Sequence, residues 1–216
     1  TPIKSSAASD VYKRQGYTID RKVLNAWNYG APQKRERLIT IGIRNDLVGK
    51  TTYEFPKPHD YKPVLRDVLL DCPEGPGVQY GEKKKKIFEL VPAGGYWRDI
   101  DPEIAKEYMK SCWNMEGGRT GILRRMSLDE PCLTVLTSPS QKQTERCHPL
   151  EARPFTVREN ARCQMFPDEW EFCGTVASQY KQVGNAVPVG LAFDVAKEIH
   201  KSLDNLDKAE VNLEEE

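Results

Sequence analysis

The sequence has few of the residues that metal sites and disulfide frameworks need. It contains three histidines and six cysteines among 216 residues, and no two cysteines form a C-x-x-C pair. Cys147 and His148 are adjacent, which is poor spacing for two ligands of one zinc ion. We therefore predict no metal site, and separate reduced thiols in an intracellular compartment.

Long apolar runs are also absent. No stretch reaches the roughly 18 apolar residues of a membrane span, and no secretory leader is recognisable. Hydrophobic residues make up 38% of the chain and charged residues 30%. This balance predicts a globular protein of one or two domains with a sizeable core. Residues 1–15 show no clear period, and we interpret them as a tag, a junction or an assembly artefact.

The chain has no excess of either charge, since its formal net charge is zero. This argues against a simple basic nucleic-acid-binding protein. Residues 204–216, however, hold six of the 32 acids and one of the 32 bases, so the rest of the chain carries a net charge of +5. We predict that this acidic tail is disordered and that the remainder is basic enough to bind DNA. A lysine run at residues 83–86 is either a solvated surface or a phosphate contact.

The pattern of apolar residues and turn formers predicts two strands near the N-terminus. Residues 16–25 form a strand with a polar edge, and the β-branched run at residues 38–43 predicts a buried strand. Gly30 and Pro32 predict a loop between the two. Together these segments indicate a strand–loop–strand unit at the edge of a sheet.

Two helices have clear start signals. Asp101 is a candidate cap and is followed by Pro102, which suits a first helical turn. Thr156 and Glu159 have the spacing of a capping box, ahead of a helix that ends near residue 165.

The stretch at residues 182–192 predicts a tight loop that opens an amphipathic helix. Gly184 permits a close backbone approach, Asn185 can cap the helix or bind a ligand, and Pro188 suits the first turn. Two interpretations stay open: a capped core helix, or a loop against a small-molecule cofactor. The apolar positions that follow fall at helical spacing on one predicted face; they are Val189, Ala192, Val195, Ala196, Ile199 and Leu203.

Gln33, Arg35 and Arg37 alternate along a segment that leads directly into the second strand. Alternate residues of an extended segment face one side, so the three can project together. Two forked guanidiniums on one face can hold a phosphate and a carbonyl oxygen at once. The alternative is a polar edge that faces solvent.

Three stretches together resemble motifs of the DNA (cytosine-5)-methyltransferase family. Residues 28–37 contain the family's Gln-x-Arg-x-Arg motif, residues 153–170 resemble the next block, and residues 182–192 resemble the last. They occur in the family's order. The resemblance implies an α/β fold: the C-terminal part of a Rossmann-like S-adenosylmethionine-dependent methyltransferase domain, with a small mixed α+β target-recognition domain inserted.

This resemblance divides the chain into an unassigned leader and four further parts. The last strands of the catalytic domain would lie in residues 16–45 and the target-recognition domain in residues 46–152. Residues 153–203 would supply a helix block and the closing helix, ahead of the acidic tail at residues 204–216.

The family's roles transfer only to the matching positions. By resemblance, Arg37 contacts the flipped cytosine near its O2, Arg35 lies beside it on the base or backbone, and Gln33 supports both. Asn185 and Ala186 would lie on the S-adenosylmethionine pocket.

Two loop-like segments of the predicted recognition domain, residues 117–125 and 137–146, are rich in side chains that read base edges. An arginine-rich loop fits guanine contacts, and the resemblance implies a short G/C-rich site in double-stranded DNA. Reaction at C5 of cytosine requires the base to leave the stack. The candidate DNA-binding residues are Arg119, Thr120, Arg124, Arg125, Gln141, Lys142, Gln143 and Arg146.

Three family features are not found. They are the nucleophilic cysteine of Pro-Cys-Gln, the glutamate of Glu-Asn-Val and a glycine-rich cofactor loop, and all precede Gln-x-Arg-x-Arg in the family. Cys132 follows a proline but precedes Leu133, and Glu159 begins Glu-Asn-Ala; both come after Arg37, in the wrong order. We therefore expect this chain to transfer no methyl group alone.

The resemblance thus implies part of a bacterial restriction–modification methyltransferase, cytoplasmic and associated with the nucleoid. Its missing N-terminal catalytic half would be supplied in cis or in trans. Two alternatives stay open: the DNA-recognition subunit of a split methyltransferase, or a non-catalytic DNA-binding module.

Overall fold

The computed structural model describes residues 7–139 and 141–214. In that part of the chain, short strands near the N-terminus are followed by helices and long connections, and two helices end the fold. The strands are β1 (Tyr17–Asn25), β2 (Gln33–Lys34), β3 (Glu36–Arg44) and β4 (Cys132–Leu133). The α-helices are α1 (Ala7–Arg14), α2 (Arg66–Leu69), α3 (Glu82–Leu90), α4 (Pro102–Met109), α5 (Val157–Cys163), α6 (Val176–Asn185) and α7 (Val189–Glu214).

Strands β1 and β3 form an antiparallel pair, as the two apolar runs predict. The pairing extends from Tyr17 opposite Arg44 to Asn25 opposite Glu36. The prediction that the second strand is buried is wrong, because residues along β3 alternate between exposed and half-buried. Val23 and Leu38, which pair across the strands, are each 45% exposed. No further strand pairs with these two within the described residues. The exposure of Val23 and Leu38 shows that the face they share is not covered by the described chain.

A second, very short sheet joins the N-terminal segment to the middle of the chain. Gln33 of β2 pairs in parallel with Cys132 of β4. The Cys132 N–H donates to the Pro32 carbonyl at 2.7 Å, and the Thr134 hydroxyl donates to the Lys34 carbonyl at 2.9 Å. Parallel pairing needs a long connection, and here the connection is the predicted recognition domain.

Two cores organise the middle of the chain. One lies within residues 80–147 and includes Phe88, Met109 and Leu123. The other combines residues 65–135 with residues 155–183, so that Leu65 and Met126 lie in the same cluster as Phe155. The predicted boundary at residue 152 therefore does not separate two cores.

The two predicted helix starts are confirmed. Asp101 accepts hydrogen bonds from the N–H groups of Glu103 and Ile104 and caps α4. Thr156 caps α5, and its capping box with Glu159 is complete. These signals depend only on residues one turn apart, which explains why they can be predicted locally.

The predicted loop before the last helix is mostly helical. Residues 182–185 form the final turn of α6, so Asn185 ends that helix and does not cap α7. Only residues 186–188 separate the two helices. Among residues 189–207 of α7, whose burial is described, the buried residue is Leu191, which was not on the predicted face. Phe193 and Leu203 are 66% and 54% exposed, so α7 presents apolar side chains to solvent.

The two ends of the described chain also differ from the predictions. α7 continues to Glu214, in place of the disordered tail predicted from residue 204. Residues 204–214 contain no glycine or proline and are mostly good helix formers, which lets the helix propagate. At the other end, α1 occupies most of the leader for which no element is predicted, while residues 1–6 lie outside the described residues.

Within residues 7–139 and 141–214, no helix is long and apolar enough to cross a membrane. The same residues contain no cluster of three or more His, Cys, Asp or Glu side chains that could hold a metal ion. All six cysteines are free thiols.

Candidate functional site

Gln33 lies fully buried where the three motif stretches meet. Its side-chain amide donates to the Cys163 carbonyl at 3.1 Å and to Oε1 of Gln164 at 2.9 Å. Its Oε1 accepts from the Val135 N–H at 2.8 Å. An amide can donate and accept at once, so Gln33 links β2 both to the chain after β4 and to the end of α5.

Gln164 continues this network toward the last helices. It is fully buried, and its Nε2 donates to the carbonyls of Val183 and Ala186 at 2.8 and 3.3 Å. Its own carbonyl accepts from the Val189 N–H at 3.0 Å. We call Gln33, Gln164 and these partners the glutamine junction. The sequence analysis missed Gln164, although a glutamine directly after a capped helix is a signal that could have drawn attention.

Gly184 brings α6 against the segment after β4, as the predicted close backbone approach requires. A Cβ atom at this position would lie 2.5 Å from the Leu136 carbonyl carbon and 2.6 Å from the Thr137 nitrogen. Both are backbone atoms, which cannot move aside as a flexible side chain could. Only glycine allows this packing.

Arg35 is buried beside the glutamine junction, with 3% of its surface exposed. Its two terminal nitrogens donate to the carbonyls of Val135 and Gly184 at 3.1 and 2.9 Å. Burial, with a smaller effect from the charge of Arg37, lowers the pKa of Arg35 to about 10. Because its donors are directed into the protein, this geometry favours a positioning role over direct contact with a base.

Burial alternates along the segment as predicted: Gln33 and Arg35 are buried, their neighbours Lys34 and Glu36 are exposed, and Arg37 is half-buried. Its NH1 donates to the Glu36 carbonyl at 2.7 Å in an exposed hydrogen bond. The interpretation of all three residues as a solvent-facing edge is excluded by the burial of Gln33 and Arg35. Arg37 is the member of the motif whose guanidinium can reach an external partner.

Asn185 and Ala186 lie at the surface next to the glutamine junction. Asn185 is exposed, and its side chain makes no hydrogen bond to the described residues. Ala186 is half-buried, and its carbonyl is held by Gln164. A free amide on a fixed turn can donate to and accept from a polar ligand, so these residues fit one wall of a cofactor site.

The two predicted recognition loops lie against each other in the structure. The Glu145 N–H donates to the Gly121 carbonyl at 2.8 Å, and the Cys147 N–H donates to the Arg124 carbonyl at 3.0 Å. Gly121 is packed so closely against the Gln143 carbonyl that a Cβ atom there would collide with it. Segments some twenty residues apart in sequence therefore form one surface.

The buried carboxylate of Glu145 fixes these loops to the helices behind them. It is fully buried and accepts from the Leu123 N–H at 2.7 Å and from the Tyr108 hydroxyl at 2.5 Å. It also forms an ion pair with Lys84 at 2.6 Å. We call this group the Glu145 hub; nothing in the sequence pattern singled it out.

The candidate DNA-binding residues divide by exposure. Thr120, Gln141 and Gln143 are exposed, although Oε1 of Gln141 already accepts from the Thr144 hydroxyl at 3.2 Å. Arg125 donates to the carbonyls of Pro149 and Val91 at 3.2 and 3.0 Å, which makes it a structural residue. The side chain of Lys142 lies outside the described residues.

The other three arginines of the predicted recognition surface are partly buried. Arg119 donates to the carbonyls of Cys112 and Trp113 and stacks on the Trp97 ring at 5.0 Å. Burial, together with the charge of Arg124, lowers the pKa of Arg146. Arg146 also donates to the Glu145 carbonyl at 2.8 Å. Arg124 forms an ion pair with Glu130 at 3.6 Å, so its charge is partly balanced within the protein.

Cys132 and Glu159, which resemble family motifs only in part, are buried in structural positions. Cys132 is 1% exposed in a core cluster. Glu159 accepts two hydrogen bonds from Arg153 at 2.8 Å and one from the Thr156 N–H at 2.7 Å. Neither side chain is presented to a substrate.

Comparisons with known proteins identify the family of the chain. The model of the family "C-5 cytosine-specific DNA methylase" matches residues 8–201. Type II methyltransferase M.Sau96I of Staphylococcus aureus is 54% identical over 191 residues, which are 88% of this chain and 44% of that protein. Type II methyltransferase M.Eco47II of Escherichia coli is 50% identical over 201 residues, with 89% and 48% covered. The chain thus spans less than half the length of these relatives.

Solved structures show a similar fold at low sequence identity. A candidate DNA modification methyltransferase encoded in an Escherichia coli prophage has a TM-score of 0.60 at 20% identity, covering 94% of this chain and 67% of that one. The Dnmt2 methyltransferase of S. pombe has a TM-score of 0.52 at 15% identity, covering 91% and 62%. Both similarities concern the fold alone.

Proposed function

The chain belongs to the C-5 cytosine-specific DNA methylase family, and from that premise we propose that it is the C-terminal part of a DNA (cytosine-5)-methyltransferase. The observation that carries this proposal is the glutamine junction. It joins the Gln-x-Arg-x-Arg segment, the end of α5 and the turn after α6 through hydrogen bonds of 2.8 to 3.3 Å. Arg37 and Asn185 are left at its surface.

In the proposed enzyme, Arg37 contacts the O2 region of a cytosine that has left the DNA stack. A guanidinium is always charged and donates in a fixed geometry, so it can hold the base without a change of protonation. Arg35 and Gln33 keep the segment in place from behind. S-adenosylmethionine, the expected cofactor, supplies the methyl group when bound, and Asn185 and Ala186 hold one side of it.

The remaining part of the enzyme would cover the apolar surfaces that are open here. These lie on the β1–β3 sheet, where Val23 and Leu38 are each 45% exposed, and on α7, where Phe193 and Leu203 are 66% and 54% exposed. Large apolar faces of this kind mark an interaction surface. We propose that the partner part carries the nucleophilic cysteine and the glycine-rich cofactor loop, in the same chain or in a separate subunit.

The recognition loops would choose the DNA site. Thr120, Gln141 and Gln143 are exposed on the joined surface of the two loops, to which Arg124 and Arg146 also belong. Arginine pairs with guanine and glutamine with adenine in the major groove. We propose a short, G/C-rich double-stranded site and a role in a bacterial restriction–modification system.

Complementation tests this proposal. The purified chain is mixed with the N-terminal part of the Staphylococcus aureus relative, duplex DNA and S-adenosylmethionine with a labelled methyl group. We expect label in cytosine only when both protein parts are present. Arg37→Ala should lower the rate by about 100-fold or more, as loss of a charged donor in an active site does, whereas Lys34→Ala, an exposed neighbour, should not.

Two results would contradict the proposal. Methyl transfer by the chain alone would show that it carries its own nucleophile. DNA binding without methyl transfer in the mixture, and without stabilisation of the mixture by S-adenosylmethionine in a melting experiment, would instead support a non-catalytic DNA-binding module.

A further inference from the structure

A groove with an apolar floor and a cationic rim lies between α3 and α4, away from the glutamine junction. It encloses about 590 Å³. We call it the lysine groove, and its lining residues are Lys83, Lys84, Lys86, Ile87, Ile104, Glu107, Tyr108 and Lys110.

The lysine side chains contribute both to the apolar floor and to the cationic rim of the groove. Ile87, Ile104 and Tyr108 supply apolar surface, and lysine stems can lie along such surface while their ammonium groups reach water. Lys110 follows α4 with a φ of 52°, a conformation that is unfavourable for a residue with a side chain. This backbone turn places Lys110 at the groove with three of the four lysines of α3.

Half of the positive charge at the groove is not neutralised by protein. Lys83 lies 3.6 Å from Glu107, and Lys84 lies 2.6 Å from Glu145. Lys86 and Lys110 have no carboxylate within 4.0 Å among the described residues. Two ammonium groups on one concave surface therefore remain available to an anionic partner.

The groove shares a wall with the recognition loops. Lys84 and Tyr108 line the groove and also bind the Glu145 carboxylate. The same carboxylate accepts from the Leu123 N–H in the first loop, and Glu145 itself belongs to the second. A long polyanion that contacts both loops can thus continue onto the groove.

We propose that the lysine groove binds the phosphate backbone of DNA beside the recognised site. This inference rests on the proposed function, because it takes duplex DNA to be the partner. Lys86 and Lys110 contact phosphates without reading bases, so the groove anchors the duplex in a sequence-independent way. DNA is favoured over an acidic protein segment because the groove adjoins two loops rich in base-reading side chains.

The test compares two double variants that each remove two lysine charges, one from α3 and one from α4 or the residue directly after it. Lys86→Gln with Lys110→Gln changes the groove. Lys85→Gln with Lys106→Gln changes exposed lysines that do not line it. Affinity of the full chain for a duplex of unrelated sequence is measured from about 50 to about 200 mM salt. Each lost phosphate contact lowers the slope of log Kd against log salt by about 0.9.

We expect the groove variant to lose about 1 to 2 from that slope and the control variant to keep the parent slope. Equal slopes in the two variants, with DNA binding intact, would overturn the groove proposal alone. A parent chain that binds no DNA would overturn the proposed DNA recognition as well. If a synthetic acidic amphipathic peptide binds the groove while DNA does not, the partner is a protein segment and our proposal is wrong.

Discussion

The glutamine junction and the Glu145 hub both hold distant segments together through a buried polar side chain, but with different chemistry. At the junction, neutral amides of Gln33 and Gln164 donate to three backbone carbonyls and accept from one N–H. At the hub, a carboxylate only accepts, and it needs Lys84, Tyr108 and the Leu123 N–H as donors.

The difference has physical consequences. An amide network contains no ionisable group, so it can remain fixed over a wide range of pH and salt. A buried carboxylate carries a desolvation cost and depends on every one of its partners. The motif segments that meet at the junction are thus held by hydrogen bonds between uncharged groups and by close packing. The recognition loops depend instead on a buried ion pair.

The sharpest test of this contrast is Glu145→Ala. Removing the carboxylate leaves Lys84 and the Leu123 N–H without their acceptor, and we expect a loss of about 3 to 5 kcal/mol in the free energy of unfolding. Urea titration of the full chain measures it. The exposed Glu116→Ala is the control and should change stability little. If Glu145→Ala lowers stability no more than Glu116→Ala does, the Glu145 carboxylate does not stabilise the fold and the contrast with the junction is wrong.

Gly184→Ala disturbs the packing at the glutamine junction without removing a hydrogen-bonding side chain. The added methyl group would sit 2.5 Å from a backbone carbon of Leu136, and such overpacking costs about 1 to 3 kcal/mol. We expect lower stability and faster amide exchange at residues 133–136 and 183–186. Gly81→Ala, where a Cβ atom meets nothing within 4 Å, serves as the control. Unchanged exchange at those residues would contradict the proposed close approach.

Gln164→Leu tests the junction's amides at nearly constant volume. It removes the donor to the Val183 and Ala186 carbonyls and one of the two acceptors of the Gln33 amide, and buried groups with a lost partner cost about 2 kcal/mol. Gln182→Leu is the control for loss of amide hydrogen bonds at the surface, since the exposed Gln182 donates to the Cys173 carbonyl and the Ser178 hydroxyl. If both variants melt at the same temperature, the junction does not stabilise the fold.

The smallest expected effect is a change of folding stability with pH, caused by His148 and Glu159. His148 is buried with its Nε2 3.5 Å from Glu159, and burial lowers the pKa of His148 below its usual 6.5. Burial alone would raise the pKa of Glu159, but hydrogen bonds from Arg153 and the Thr156 N–H outweigh it, so that pKa is lowered too. In both cases the unfolded chain binds protons more readily than the folded chain.

Stability should therefore be complete above about pH 6.5 and decrease as the pH falls, first through His148 and then, below about 4.5, through Glu159. We expect His148→Gln to remove the first decrease in melting experiments at several pH values. His200→Gln, at an exposed site on α7, should leave the profile unchanged. A profile that is flat between pH 7 and 5 in the parent chain would contradict this prediction.

Predictions that depend on residues one turn or two strand positions apart agree with the structure. The caps at Asp101 and Thr156 and the alternation of Gln33, Arg35 and Arg37 follow from local geometry. Predictions of burial were less accurate. Leu38 lies in a β-branched run typical of a core strand, yet it is 45% exposed, because nothing in the described chain covers that face of the sheet.

The sequence by itself determined the family, through three motif stretches in order, and the positions of the capped helices and paired strands. Only the tertiary structure decided what the motif residues do: Arg35 donates into the protein, Gln164 joins the motifs, and Glu145 fixes the recognition loops. The reason is that hydrogen bonds between segments 20 to 150 residues apart depend on where the folded chain places those segments. Local sequence patterns do not specify that placement.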